Sequence, residues 1–428
     1  MLLPLRVWLV ATGEPLPVGP ASRRMRTSRL AQYLAGRGHH VTWWTSAFDH
    51  FLKRHYFKTD TTIISDGATI EALASPGYRR NVSLRRILDH VAIARRFRTR
   101  VAGEQPPDII VAAFPPIELA REAVSFAEGH GVPVLVDVQD LWPDVLINVV
   151  PPPLRWASRA VLHPLVADAV FTLRRSTGII GVSDAYLTWA LRYAAREQGN
   201  GDAVIPLGSS VIAPKPEDDA SGTHLLSLGV DPNKTIFWYL GSFGRTYDLV
   251  PVLDAARLLS RSGREDIQFV ISGDGDRAET WRAYAAGAPN VVFTGWVSAP
   301  EVSWLAAHAA VGLQPYAPGA PQGLANKLFE YLSIGIPLVS SLPGENAQLL
   351  DEHSCGLTYR AGDAEDCLKQ MLTLADDPAL RSAMGRRARK VFDERFNTDV
   401  VLGALATHIE TVAYRHNQKD SVCQRRIS

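Results

Sequence analysis

The sequence alternates short β-branched runs with amphipathic helical stretches, and it does so twice. A segment rich in Pro, Gly, Ser and acid, IPLGSSVIAPKPEDDASG (205–222), separates the two series. Alternation of this kind is the pattern of helices packed on a parallel sheet, and the separating segment has linker chemistry. In the first series the pattern predicts strands near 5–11, 40–45, 108–112, 132–136 and 177–182, with helices near 21–37, 83–102, 116–130, 154–172 and 184–196. In the second it predicts strands at 235–240, 267–272, 290–294, 309–314 and 336–340, with helices near 249–261, 300–308, 323–334, 363–376, 378–394 and 398–414. The expected fold class is α/β, two doubly wound Rossmann-like domains over 1–207 and 208–397, followed by a helix and polar tail over 398–428. A chain of 428 residues is long enough for this, at about 100–200 residues per domain. Such folds bind ligands beyond the carboxyl ends of their strands, so two of them predict an interdomain cleft suited to two substrates.

Composition narrows the function classes. Hydrophobic residues at 46% and charged residues at 21% exclude a disordered or collagenous chain. The net charge of +1 says nothing of partners. The halves differ, however: residues 1–213 hold 24 basic and 18 acidic side chains and residues 214–428 hold 21 and 26, which predicts a surface on the first half that meets something anionic. Three cysteines, Cys355, Cys367 and Cys423, without CxxC spacing, exclude a disulfide framework and a thiolate zinc cluster and fit a reducing compartment. Arg6 and proline interrupt the apolar run at the N-terminus, and the longest apolar stretch, 149–173, contains Arg155, Arg159, His163 and Asp168, so neither signal peptide nor membrane span is expected.

Three segments carry chemistry. The turn ATGEPLPVGPASRRMR (11–26) supplies Gly13 and Gly19 and leads into a helix N-terminus, whose free N–H groups favour anions; Arg23, Arg24 and Arg26 are ligands of such an anion or merely solvated. It lacks GxGxxG, which argues against a nicotinamide dinucleotide. In PYAPGAPQGLANKLFEYLSIGIPLVSS (315–341), the spacing puts Gly323, Lys327 and Glu330 on one helical face, with Leu328 and Leu332 toward the sheet. Gly323 would admit a ligand to the backbone, Lys327 offers a cation to phosphate, and Glu330 can accept from two ribose hydroxyls; the alternative is an exposed Lys–Glu pair. The segment 78–101 holds eight arginines, at 79, 80, 85, 86, 95, 96, 98 and 100, against the single acid Asp89. With Leu84, Ile87, Leu88, Val91, Ile93 and Phe97 interleaved it reads as a basic amphipathic helix for an anionic membrane surface or a phosphorylated lipid, or as a domain helix with solvated arginines. No nucleic-acid-binding motif accompanies it, so no nucleic-acid partner is expected.

Eight segments in order, RGHHVTWWTSAFDH (37–50), YRRNVSLRRILDH (78–90), DVQDLWPD (137–144), GIIGVSDAY (178–186), YLGSFGRTYDL (239–249), ISGDGD (271–276), FTGWV (293–297) and NKLFEYLSIGIPLV (326–339), resemble the GT-B glycosyltransferases of family 4. Within them the chain is most similar to bacterial amino-sugar (fucosamine-type) transferases of cell-surface polysaccharide and O-antigen assembly. The resemblance runs from the start to about residue 415. It implies retaining transfer of an N-acetylhexosamine-type sugar from a nucleotide sugar, UDP-linked, to a polyprenyl-diphosphate-linked or other saccharide acceptor. It also implies a place on the cytoplasmic face of the inner membrane against anionic lipids, a C-terminal helix crossing back to the first domain, and no metal or cofactor. The Asp-Gly-Asp at 274–276 then reads as a structural turn rather than a metal motif.

Carried over by position, the family's Glu-x7-Glu pair falls on Gln322 and Glu330, so glutamine stands where an acid usually meets the donor sugar. Arg245 becomes the diphosphate clamp with Lys327 assisting, and Tyr247 stands where lysine is common. Gly19, Arg26, Gly241, Gly244, Gly273, Gly323 and Leu324 complete the expected donor site, with Trp296 and Val297 reading the base. In the first domain Gln139 takes the place where a histidine often stands beside the reacting centre. Asp140 is then the candidate to orient or activate the acceptor hydroxyl, with Asp144 second. His50 is a further acceptor candidate, and Arg79, Arg80 or Arg86 would lie near the acceptor diphosphate. Two alternatives stay open on sequence grounds: a nucleotide-sugar epimerase of the same fold, and a non-catalytic nucleotide-sugar-binding scaffold.

Overall fold

The computed structural model describes residues 3–18, 24–81, 83–148, 150, 153, 155–215, 220–320 and 323–427. The chain divides into two compact units, one formed by Met1–Pro206 with Leu402–Ser428 and the other by Leu207–Val401.

The first unit is built on an eight-stranded sheet in the order Ala203–Val204, Gly178–Gly181, Val134–Val138, Ile109–Phe114, Arg6–Val10, His40–Ser46, Ala68–Leu73, Thr61–Ser65. Every neighbouring pair is parallel except the last. Ile109–Phe114 is buried along its whole length, as expected of a central strand covered on both faces. The five strands predicted for this half are all present. The edge hairpin 61–73 was not predicted. Its turn is Asp66-Gly67, both at positive φ (53° and 78°), which closes Ser65 onto Ala68 with the twist that a two-residue hairpin needs. The stretch 154–172, predicted as one helix, is two, Arg155–Val161 and His163–Arg175, with Pro164 in the first turn of the second.

Helix Leu84–Val101, capped by the Ser83 side chain, buries Ile93, Ala94, Phe97 and Val101 against this sheet. Arg96, Arg98 and Arg100 pair with Asp60, Glu122 and Glu71, respectively, from neighbouring elements. Over this half the segment is a domain helix. Arg95 in this half is exposed and unpaired among the described residues, and Arg79, Arg80 and Arg85 at the helix's N-terminal approach are exposed as well.

The second unit carries six parallel strands in the order Val291–Gly295, Ile267–Ser272, Thr235–Leu240, Ala309–Gln314, Leu338–Ser340, Gly356–Thr358. All five predicted strands are found, and Gly356–Thr358 is added at the edge. Helix Asn326–Ile334 starts three residues later than predicted and ends on Gly335 in the left-handed conformation. Among the described residues no helix is long and apolar enough to cross a membrane.

The last helix, Thr398–Ile427, enters the first unit at Leu402 and buries Leu405, Ala406, Ile409 and Ala413 there. Glu410 anchors it. Its carboxylate accepts from Arg37 Nε and Nη2 at 2.8 and 2.9 Å and from His39 Nε2 at 2.8 Å. His39 Nδ1 accepts the Leu5 N–H at 3.1 Å, which leaves the ring proton on the nitrogen facing Glu410. Burial alone would raise this carboxyl, but the bonds from Arg37 and His39 prevail and hold it below its ordinary 4.5. Glu410→Ala is therefore expected to cost about 1–3 kcal/mol in urea unfolding at pH 7. The loss should fall toward the low end because the Arg37 side chain is 40% exposed. A group with a depressed folded pKa contributes above its unfolded value, so the gap between wild type and variant should close as pH falls below 4.5.

Candidate functional site

In the second unit, the chain leaves strands Thr235–Leu240 and Ile267–Ser272 through two glycine-bearing loops that lock together. Gly241 N–H donates to Ser272 O at 2.9 Å, Phe243 N–H to Asp274 O at 2.8 Å and Gly273 N–H to Gly295 O at 2.7 Å. The contact demands bare backbone. Gly273 has φ +142°, and a Cβ there would lie 1.8 Å from Gly241 O. Gly241 has φ +147°, and a Cβ there would lie 2.1 Å from Lys327 Nζ. Gly273, expected to touch the donor, is thus first of all the partner of the Gly241 loop. The Asp-Gly-Asp turn has a structural explanation, since Asp274 receives both Phe243 N–H on its carbonyl and Gly275 N–H on its side chain.

Lys327, in the first turn of helix Asn326–Ile334, is only 6% exposed. Its ammonium sits 4.1 Å from the ring centre of Tyr247 and 5.1 Å from that of Tyr239, above Gly241. No carboxylate pairs with it among the described residues. Tyr331 fixes the helix to the sheet: its hydroxyl donates to Trp238 O and accepts from Leu240 N–H, both at 2.9 Å. Leu328 and Leu332 are fully buried, as their spacing predicted, and Lys327 and Glu330 lie three apart on one helix. Gly323 precedes the helix rather than sharing its face; it is buried and Leu324 half-buried. Arg245 is exposed beside Gly244, where a Cβ would meet nothing within 4 Å. Trp296 stands out into solvent at 68% exposure immediately after strand Val291–Gly295, with Val297 packed at the core's edge. The sequence reading missed the tyrosine cage: Tyr247 was noted only as a missing lysine, and its ring is what faces Lys327. Gly19 and Gln322 lie outside the described residues.

In the first unit, two expected ligand groups are consumed internally. Arg26, expected on the donor, gives Nε and Nη2 to Asp137 at 2.8 and 3.1 Å and the rest of its hydrogen bonds to the carbonyls of Pro206 and Ile205. The Arg26 and Asp137 side chains are each 6% exposed, and the arginine is a buried strut of the first unit. The N-terminus of helix Arg26–Gly36, expected to face an anion, receives the carboxylate of Glu14, which accepts from Thr27 and Ser28 N–H at 2.7 and 3.1 Å. Burial pushes this carboxyl up, against those two bonds. Gln139 donates to Asp137 at 2.8 Å. Both oxygens of Asp144 accept hydrogen bonds, from Trp189 Nε1 at 2.8 Å and Tyr193 OH at 2.6 Å, so it ties down helix Asp184–Ala194.

Arg86 acts through its charge on both Asp140 and His50. Asp140 is half-buried, and burial raises its carboxyl above the usual range, against the Leu141 N–H bond and the charge of Arg86. His50 hydrogen-bonds the Tyr78 hydroxyl; burial and the charges of Lys53 and Arg86 bring its imidazole down to about 4, so it is neutral at pH 7. Arg79 and Arg80 are exposed and have no side-chain partner among the described residues. No group of three or more His, Cys, Asp or Glu side chains is gathered to hold a metal ion among the described residues.

Comparison with known proteins bears on each unit. Residues 24–200 match a family model described as a glycosyl transferase 4-like domain, and residues 234–377 match one described as glycosyl transferases group 1. The sulfoquinovosyl transferase of Arabidopsis thaliana is 31% identical over 163 residues, 37% of this chain, and the match spans 30% of that protein's length. Among solved structures, sucrose-phosphate synthase of Thermosynechococcus elongatus aligns with a TM-score of 0.68 at 17% identity, covering 94% of this chain and 97% of the other. WaaG, a glycosyltransferase involved in lipopolysaccharide biosynthesis, aligns at 0.62 and 17% identity over 94% and 99%. A protein of Anabaena solved with UDP-glucose aligns at 0.61 and 13% identity over 95% and 100%. The fold is the GT-B architecture of two Rossmann-like domains.

The two glycines should separate under mutation. Gly273→Ala forces a Cβ into backbone and is expected to lower unfolding free energy by roughly 3 kcal/mol or more. Gly241→Ala meets the flexible tip of Lys327 rather than backbone, although φ +147° strains it too, so its loss of unfolding free energy should be smaller than that of Gly273→Ala, measured by urea unfolding on both variants.

Proposed function

For a chain whose two halves match glycosyltransferase domain models, we propose that it transfers a sugar from a nucleoside diphosphate sugar to a saccharide hydroxyl. The donor is read as a UDP-linked N-acetylhexosamine, the acceptor as a saccharide on a polyprenyl diphosphate used in surface polysaccharide assembly, and the outcome as retention. The observation that carries this reading is Lys327. A buried ammonium held, among the described residues, by two aromatic faces alone is costly, since cation–π contacts give about 2 kcal/mol each when desolvated and an unpaired buried charge costs several. A diphosphate above Gly241 would supply the missing counter-charge. The complex of the Anabaena neighbour with UDP-glucose supports the donor class.

In the reaction the acceptor oxygen bonds to the anomeric carbon as the bond from that carbon to the diphosphate breaks. Negative charge grows on the departing nucleoside diphosphate and positive charge on the sugar ring. Lys327, Arg245 and the positive end of helix Asn326–Ile334 would stabilise the first of these. Glu330 would hold the ribose hydroxyls. Asp140, in the first unit, would accept or orient the proton of the acceptor hydroxyl, and its raised pKa brings it closer to matching that task. This division of labour asks nothing of a metal ion.

The test is release of nucleoside diphosphate from a panel of UDP-, GDP- and dTDP-sugars with lipid-linked acceptors, with and without chelator. Lys327→Ala should lower kcat/KM by about 10²–10³ and Glu330→Ala should raise KM for the donor; activity should persist in chelator. Binding of a donor with no turnover under any acceptor would instead favour a scaffold. The pH profile gives a separate check. The acid limb of kcat/KM should lie above pH 3.8, reflecting protonation of Asp140, and should vanish in Asp140→Asn along with about 10²–10⁴ of the rate. His50, at about 4, should contribute no limb near neutrality.

A further inference from the structure

Lys53 and Arg86 converge on one aromatic ring. The Lys53 ammonium lies 4.6 Å from the centre of the Tyr78 ring and the Arg86 guanidinium 5.7 Å from it. Arg86 is also stacked on Trp142 at 4.6 Å and is oriented by two bonds, Nε–H to His90 Nε2 at 3.4 Å and Nη1–H to Asn81 O at 3.1 Å. Those bonds leave both Nη2 protons without a partner among the described residues. Lys53 donates to Asn81 Oδ1 at 2.5 Å, a neutral acceptor. Neither cation forms an ion pair among the described residues, although most arginines farther along the same helix do. Asp49, the nearest acid to Lys53 in sequence, is committed to Tyr56 OH and to the N–H groups of Phe51 and Leu52. Two like charges held toward the same ring repel, and burial together with Arg86 lowers the ammonium's pKa. The arrangement lacks an anion.

We propose that Lys53 and Arg86 form an anion subsite over Tyr78 that takes a phosphate or diphosphate ester group of the acceptor. Arg86 offers a fork of parallel N–H groups suited to phosphate oxygens, and Lys53 adds a point charge on the other side of the ring. Trp142 and His90 keep the fork aimed. Arg86 acts on Asp140 through space, so an acceptor anchored here by its phosphate would bring its remaining part toward the Asp140 carboxyl. On the two segments that carry Lys53 and Arg86, Phe51, Leu52, Leu84 and Leu88 are exposed at 52%, 59%, 78% and 63%, apolar surface that a hydrocarbon chain attached to the phosphate would cover. Assignment of the subsite to the acceptor rests on the transferase reading; the anion binding does not.

The experiment is calorimetric titration of the full chain, with saturating UDP to fill the second unit's site, using inorganic pyrophosphate and geranyl diphosphate as probes. Both should bind, with affinity falling steeply as salt rises, and Lys53→Gln and Arg86→Gln should each raise Kd at least about ten-fold while leaving UDP affinity unchanged. A further gain for geranyl diphosphate, lost in Leu84→Ser with Leu88→Ser, identifies a lipid phosphate; equal binding of the two probes identifies a soluble one. Tyr78→Phe preserves the ring and should retain binding, which separates loss of the subsite from loss of fold. Pyrophosphate binding unchanged in both cation variants overturns the proposal. So does transfer to uncharged saccharides as efficient as transfer to their phosphorylated forms, an outcome that leaves the transferase reading standing. Probe binding that maps to Lys53 and Arg86 in a protein without turnover upholds the subsite and removes its assignment to an acceptor.

Discussion

The second unit's site depends on two loops touching through bare backbone. At 241 and 273 the chain has no side chain because there is no room for one, with Gly241 O and Lys327 Nζ standing where the Cβ atoms would be. The contact does two things at once. It seats the loop after strand Thr235–Leu240 on the loop after Ile267–Ser272, and it opens above Gly241 a space that only the tip of a long side chain enters. Tyr331, hydrogen-bonded to the end of Thr235–Leu240, sets the height of the helix that delivers that tip. Packing, hydrogen bonding and charge therefore converge on a single ammonium.

Charge placement separates scaffold from site in both units. Arg26 with Asp137 and Arg37 with Glu410 are each bound two-pronged by a buried carboxylate, and Arg196 meets Asp202 in the same way. These pairs leave no cation unbalanced, and the first two tie together elements more than a hundred residues apart in sequence. Lys327, Lys53 and Arg86 follow the opposite rule. They are taken partly or wholly out of water against aromatic rings and given neutral partners or none among the described residues. Aromatic faces lower the cost of burying a cation without saturating its capacity to bind an anion, so a cage of tyrosines keeps a lysine both dry and available.

Strands buried on both faces were readable because their apolar runs leave no ambiguity: Ile109–Phe114 and Ile267–Ser272 appear where the β-branched residues stand. The hairpin 61–73 escaped because its edge strand alternates half-buried with exposed residues, Ile64 at 81% among them, although Asp66-Gly67 carried the turn signal. At the site, Lys327 and Glu330 were legible from spacing within one helix. Tyr239 and Tyr247 were not, since nothing local says that two residues eight apart will face a lysine eighty positions on. The internal partners of Arg26 and Asp144 were hidden for the matching reason: a polar residue near a strand's carboxyl end looks the same in sequence whether it awaits a ligand or already has Asp137 or Trp189.

The two units also answer one electrostatic question differently. Each has a helix whose first turn follows a loop from a parallel strand, and a first turn presents N–H groups that favour negative charge. In the first unit the chain supplies the acceptor itself, since the Glu14 carboxyl accepts from Thr27 and Ser28 N–H, while burial raises its pKa. In the second unit the first turn of Asn326–Ile334 carries Lys327, which forms no ion pair among the described residues. A helix start closed by its own acid has no use for a phosphate, whereas one that adds a buried cation to its dipole is incomplete without an anion. On this ground the Arg26–Gly36 helix start is a structural joint, and the diphosphate of the proposed donor is assigned to the second unit.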